Sequence, residues 1–135
     1  TTTTIINATG GDPSDEINAF GDLSQAASYG VQPANQLKNA VSGTELQVHH
    51  VVEQRLAPAL GQTATQARQW PGVAVTPQEH QVITNLWREA IGYSNSNNPI
   101  NTINATTNDV WNVAQKIYAD YPALLDAAKQ TIFAK

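Results

Sequence analysis

The sequence contains no cysteine. Neither a disulfide nor a thiolate–zinc cluster can hold this chain together, and cysteine usage leaves the redox compartment open, although a cysteine-free chain is compatible with life outside the cytoplasm. Charge is also sparse. Only 13% of the 135 residues are Asp, Glu, Lys or Arg, and seven basic residues face eleven acidic ones, a net charge of −4. An acidic balance argues against an extensive phosphate-binding surface, which is normally built from Lys and Arg. No apolar run approaches the ~20 residues that cross a bilayer. Residues 1–16 (TTTTIINATGGDPSDE) lack a basic patch followed by an apolar stretch, so a secretory signal peptide is not expected. If exported, the protein would be carried by something else or would be one piece of a longer chain. What is present is an ordinary globular share of hydrophobic residues, 41%, at a length that suits one core.

The charge is unevenly spread. Asp12, Asp15, Glu16 and Asp22 lie in a stretch without Lys or Arg, whereas residues 38–88 hold Lys38, Arg55, Arg68 and Arg88 against Glu45, Glu53 and Glu79. All three histidines, His49, His50 and His80, fall in that middle stretch.

Residues 1–13 read as a linker, with Gly10, Gly11 and Pro13 as breakers. Ser14 can cap a helix carrying Asp15 and Glu16 in its first turn, and Ile17, Phe20, Leu23 and Ala27 follow at helical spacing before Gly30. A short helix is expected over 35–42, stopped by Gly43. Alternation over 44–49 predicts a strand, a long connection follows over 50–71 with one helical turn near 53–57, and 72–75 predicts a second strand. Thr76, Pro77 and Glu79 form a capping box with a proline start, so a helix is expected over 77–91, stopped by Gly92. After an Asn- and Ser-rich loop over 94–107, helices are expected over 108–119 and from Pro122 onward. Trp70, Trp87 and Trp111 read as packing residues rather than base-stacking platforms.

This order, strand, His-His, connection, strand, capped helix with a histidine in its first turn, can bring His49 and His50 at a strand end close to His80 at a helix start. Imidazole binds divalent metals and accepts protons near neutral pH. Neighbouring strand residues point to opposite sides, so the paired histidines can do different jobs. Each candidate also has a plainer reading. The histidines can be structural, Glu53 a solvated charge or a support behind a histidine, and Arg55 a cover for apolar surface or a clamp on phosphate. Arg68 and Arg88 carry the same two readings as Arg55.

Residues 43–55 (GTELQVHHVVEQR), residues 73–88 (VAVTPQEHQVITNLWR) and the following Ile91, Gly92 and Tyr93 resemble the HNH-superfamily (ββα-metal, His-Me finger) toxin domains of bacterial polymorphic toxins, including Rhs-type and contact-dependent toxins. The resemblance covers about residues 29–93. It implies His49 as a metal ligand, His50 as the general base and His80 as a further ligand; beside them, the residues' own chemistry lets Glu53 support a histidine and Arg55 stabilise the phosphate. Where some members carry another histidine one turn later, this chain has Thr84 and then Asn85. That departure implies an open, hydrated ion, Mg²⁺ or Mn²⁺ ahead of Zn²⁺. The family's middle Asn lacks a clear counterpart, Pro71 or Gly72 falling near it.

The expected fold class is α+β, a small ββα unit at about 44–91 within a domain spanning 14–135, surrounded by helices. The resemblance implies a metal-dependent endonuclease, DNA favoured over RNA as substrate, delivered into a target bacterial cell as part of a larger toxin and paired with an immunity protein. A metal-dependent hydrolase of another substrate and a non-catalytic binding module remain open.

Overall fold

The computed structural model describes residues 23–134. The linker expected over 1–13, the Ser14 cap and the expected helical positions up to residue 22 lie outside the described residues.

Helix α1 (Ser24–Tyr29) ends at Gly30, whose φ of 73° lets the chain turn while its N–H bonds the Ala26 carbonyl. A two-residue strand, β1 (Gln32–Pro33), follows, then α2 (Ala34–Ala40), β2 (Gln47–His50), β3 (Pro71–Val75), α4 (Pro77–Ala90), α5 (Thr107–Ile117) and α6 (Pro122–Ile132). Between β2 and β3 the chain makes two 3₁₀ turns, Gln54–Leu56 and Pro58–Leu60, and the short helix α3 (Ala64–Arg68). Helices around a small antiparallel sheet make this an α+β fold, and β2, β3 and α4 form its ββα unit.

The sheet order is β1-β3-β2, all antiparallel, with β2 on one edge. Pro33 pairs with Pro71, and neither can donate to the ladder, so β1 stays short. This strand was not predicted, because a Gln-Pro dipeptide has no alternation to read. β2 sets Gln47 opposite Val75, Val48 opposite Ala74, His49 opposite Val73 and His50 opposite Gly72. Alternation then sorts the two faces. Val73 and Val75 join Ile83, Trp87, Val110 and Tyr118 in the main core, whereas Ala74 joins Leu37 and Val41 under α2, with Val48 packed against them. A side chain at Gly72 would press on Val48, on Ala34 and on the His49 carbonyl, so glycine allows α2 to lie this close to the sheet.

The connection over 50–71 is more structured than one helical turn. Thr63 and Gln66 make a reciprocal capping box at the start of α3, a signal present in the sequence but attached to a helix too short for periodicity to show. The Thr76–Glu79 box starts α4 as predicted. The stop differs. Ile91, with extended backbone, ends the helix, and Gly92 is needed for space, since a Cβ there would overlap Ser96 Oγ and the Asn98 side chain. All three tryptophans pack. Trp87 is fully buried, Trp70 is buried with its indole N–H on Gln62, and Trp111 meets Phe133 edge to face. No helix among the described residues is long and apolar enough to cross a membrane.

Candidate active site

At the edge of the sheet a cleft of about 270 Å³ is lined by Lys38, Val48, His49, His50, Glu53, Gln54, His80 and Thr84. β2 supplies the histidine pair, the first turn of α4 supplies His80, and Thr84 lies one helical turn further along the same face.

His49 is 3% exposed and shares the sheet face that packs on α4. Its ring meets His80 edge to face, with centroids 5.4 Å apart. Nε2 of His49 lies 3.3 Å from the Tyr118 hydroxyl, which donates to the Val51 carbonyl at 2.6 Å. Burial, reinforced by the neighbouring His80 and His50, holds the His49 pKa down to about 3, so this imidazole is neutral across the physiological range.

His80 is tied from the other side. Its Nδ1 lies 2.6 Å from Gln47 Oε1, two residues before His49 on β2. Burial lowers its pKa as well. His50 is half-buried on the face toward α2, and its Nε2 is a buried atom without a hydrogen-bond partner. Burial lowers its pKa first and the charge of Lys38 second, against a raising hydrogen bond with the Arg68 main chain. Near neutral pH His50 therefore favours the uncharged form, which keeps a lone pair able to accept a proton.

Glu53 is drawn two ways. Burial raises its pKa, while the Arg55 guanidinium 2.7 Å away opposes that. Arg55 does not reach the cleft. Besides Glu53 it donates to the Ile91 and Gly92 carbonyls and to Thr102 Oγ1, and it lies over the Tyr93 ring. The guanidinium thus fastens the end of α4 and the following loop to the start of the β2–β3 connection. Arg68 and Arg88 are exposed, Arg88 bonding Asn85 along its own helix. The cation the cleft does hold is Lys38, from α2.

Among the described residues, no three His, Cys, Asp or Glu side chains are grouped as a ready-made metal cage. The His49–His80 pair nevertheless has a suitable spacing. Two imidazoles on one tetrahedral ion, each with a metal–nitrogen distance of about 2.0–2.1 Å, have ring centres roughly 5 Å apart, against 5.4 Å here. Two protein ligands leave the rest of a coordination sphere to water and substrate.

Sequence reasoning missed Lys38, Gln47 and Tyr118. Gln47 was findable, since residues two apart on a strand share a face. Lys38 and Tyr118 carry no local signal, Tyr118 lying 69 residues from His49. No family model, curated protein or solved structure matches this chain.

Proposed function

We propose that this domain is a metal-dependent endonuclease of the ββα-metal kind, hydrolysing phosphodiester bonds and acting as a DNase toxin in bacterial competition. The observation that carries the reading is the meeting of His49 and His80 across 5.4 Å in the cleft that also holds His50, whose Nε2 lacks a partner. His49 and His80 would hold a divalent ion, Mg²⁺, Mn²⁺ or Zn²⁺. When bound, that ion would stabilise charge on the phosphoryl and leaving oxygens. His50, once its buried Nε2 is opened to the cleft, would accept a proton from water as the water oxygen bonds to phosphorus and the phosphorus–alkoxide bond breaks. Lys38 neutralises the phosphate, the task for which Arg55 is not placed. Glu53, oriented by Arg55, borders the same space. An inhibitor that seals the cleft would serve as the immunity protein this reading requires.

A second reading has one observation in its favour. His49 is almost wholly buried and bonded within the core, as a structural histidine would be. Plasmid nicking with Mg²⁺, Mn²⁺ and Zn²⁺, beside an RNA substrate and with a chelator control, separates the two. Metal-dependent nicking that disappears in a folded His50→Ala protein supports the nuclease. Full activity in that variant removes His50 from the mechanism, and wild-type inactivity on both nucleic acids with every metal favours the structural reading.

A further inference from the structure

The Tyr118 hydroxyl is fully buried at the end of α5 and has three polar neighbours. These are the Val51 carbonyl at 2.6 Å, His49 Nε2 at 3.3 Å and Trp87 Nε1 at 3.3 Å. A phenol offers one proton and accepts through its oxygen lone pairs. The carbonyl can only accept, so the phenolic proton goes to Val51. The indole N–H can only donate, so it takes one lone pair of the oxygen. Toward His49 the oxygen has no proton left to give, and Nε2 must be the donor. A neutral imidazole with its proton on Nε2 keeps its lone pair on Nδ1.

The same logic applies across the cleft. Gln47 Oε1 is an acceptor, so His80 carries its proton on Nδ1 and its lone pair on Nε2. Each histidine of the pair therefore has one nitrogen occupied by a protein group and the other left as a donor atom. Hydrogen bonds of this kind orient metal-binding imidazoles and fix their tautomer.

We propose that Tyr118 is a positioning residue for the candidate site: by accepting from His49 Nε2 it locks His49 in the Nε2–H tautomer and leaves Nδ1 as the free donor toward a divalent metal ion. The inference rests on the metal-dependent reading above. It gives the C-terminal helices, which lie outside the resemblance to toxin nucleases, a direct part in the site.

The test is made on the metal-free protein by ¹⁵N NMR of the histidine side chains, followed by titration with Zn²⁺ and with Mn²⁺. The wild type is expected to show His49 protonated on Nε2 and unprotonated on Nδ1. Tyr118→Phe is expected to show mixed tautomers and to bind Zn²⁺ about 10–100-fold more weakly. A wild-type His49 protonated on Nδ1 overturns the proposal, a result that does not depend on whether the variant folds. A folded Tyr118→Phe with unchanged tautomer and Zn²⁺ affinity overturns it as well. If wild-type His49 carries its proton on Nε2 but binds neither metal, the metal reading fails and the purpose assigned to Tyr118 fails with it, while the tautomer stands.

Discussion

Acid should destabilise this protein well before its carboxylates titrate, and His49 should be a main cause. In the folded chain the His49 pKa lies at about 3, held there chiefly by burial, against 6.5 for an unperturbed histidine. The folded state therefore refuses a proton that the unfolded chain takes up. Stability is complete above pH 6.5 and falls as pH drops from there toward 3. Each pH unit within that window costs about 1.4 kcal/mol per group, so His49 alone removes about 2 kcal/mol by pH 5. His50 and His80 are shifted in the same direction and add to the loss, whereas Glu53, whose pKa is raised, works against it. Domains of this size are typically stable by only about 5–15 kcal/mol, so the effect is large enough to measure. The experiment is urea denaturation of the wild type and of His49→Gln, in chelator, at pH 7.5 and pH 5. Glutamine can still donate to Tyr118 but cannot titrate. With a urea dependence of about 1–3 kcal/mol per molar, the wild-type midpoint should fall further than the variant's by roughly 1 M. Midpoints that move in parallel, or a His49 ring that titrates near pH 6.5 by NMR, would refute the argument.

Three other outcomes follow from the geometry. Arg55→Ala should lower stability by about 2–4 kcal/mol, because it removes charge-assisted bonds to two carbonyls, a hydroxyl and Glu53 at once; a chemically denatured variant with wild-type stability but lost cleavage would return Arg55 to the phosphate. Lys38→Ala should weaken DNA binding by a catalytically dead His50→Ala protein without changing its stability, and filter binding or anisotropy would show a wild-type affinity for Lys38→Ala if another cation holds the phosphate. Given the net charge of −4, two or three phosphate contacts should set the salt dependence, so the logarithm of affinity should fall with that of salt at a slope of about −2 to −3; a slope near −8 would mean a cationic surface absent from the cleft described above.

Local chemistry was enough for much of the frame. The Thr76–Glu79 capping box with Pro77 located the start of α4 because that signal is confined to four consecutive residues. Alternation located the strand bearing His49 and His50, although it runs Gln47–His50 rather than over 44–49. The order of strand, strand and helix then brought His80 to His49, as chain connectivity within one ββα unit requires. Arg55 was a different matter. A cation five residues beyond the histidine pair looks the same in sequence whether it faces substrate or the end of a helix, and only the approach of Ile91, Gly92 and Thr102 turned it inward.

What the sequence by itself determined, then, was the longer elements and the histidines they carry, since caps, turns and strand periodicity act over a few neighbouring residues, whereas β1 and α3 are too short to show a period. Tertiary structure alone decided the state of those histidines. Burial against α4 and α5 keeps His49 neutral, the Gln47 amide takes the His80 N–H, and α2 brings Lys38 beside His50. Each of these depends on groups brought together by packing across the sheet. Desolvation and hydrogen bonding act on whatever the fold places within a few ångströms, and distance along the chain, 69 residues between His49 and Tyr118, leaves no trace of it in the local sequence.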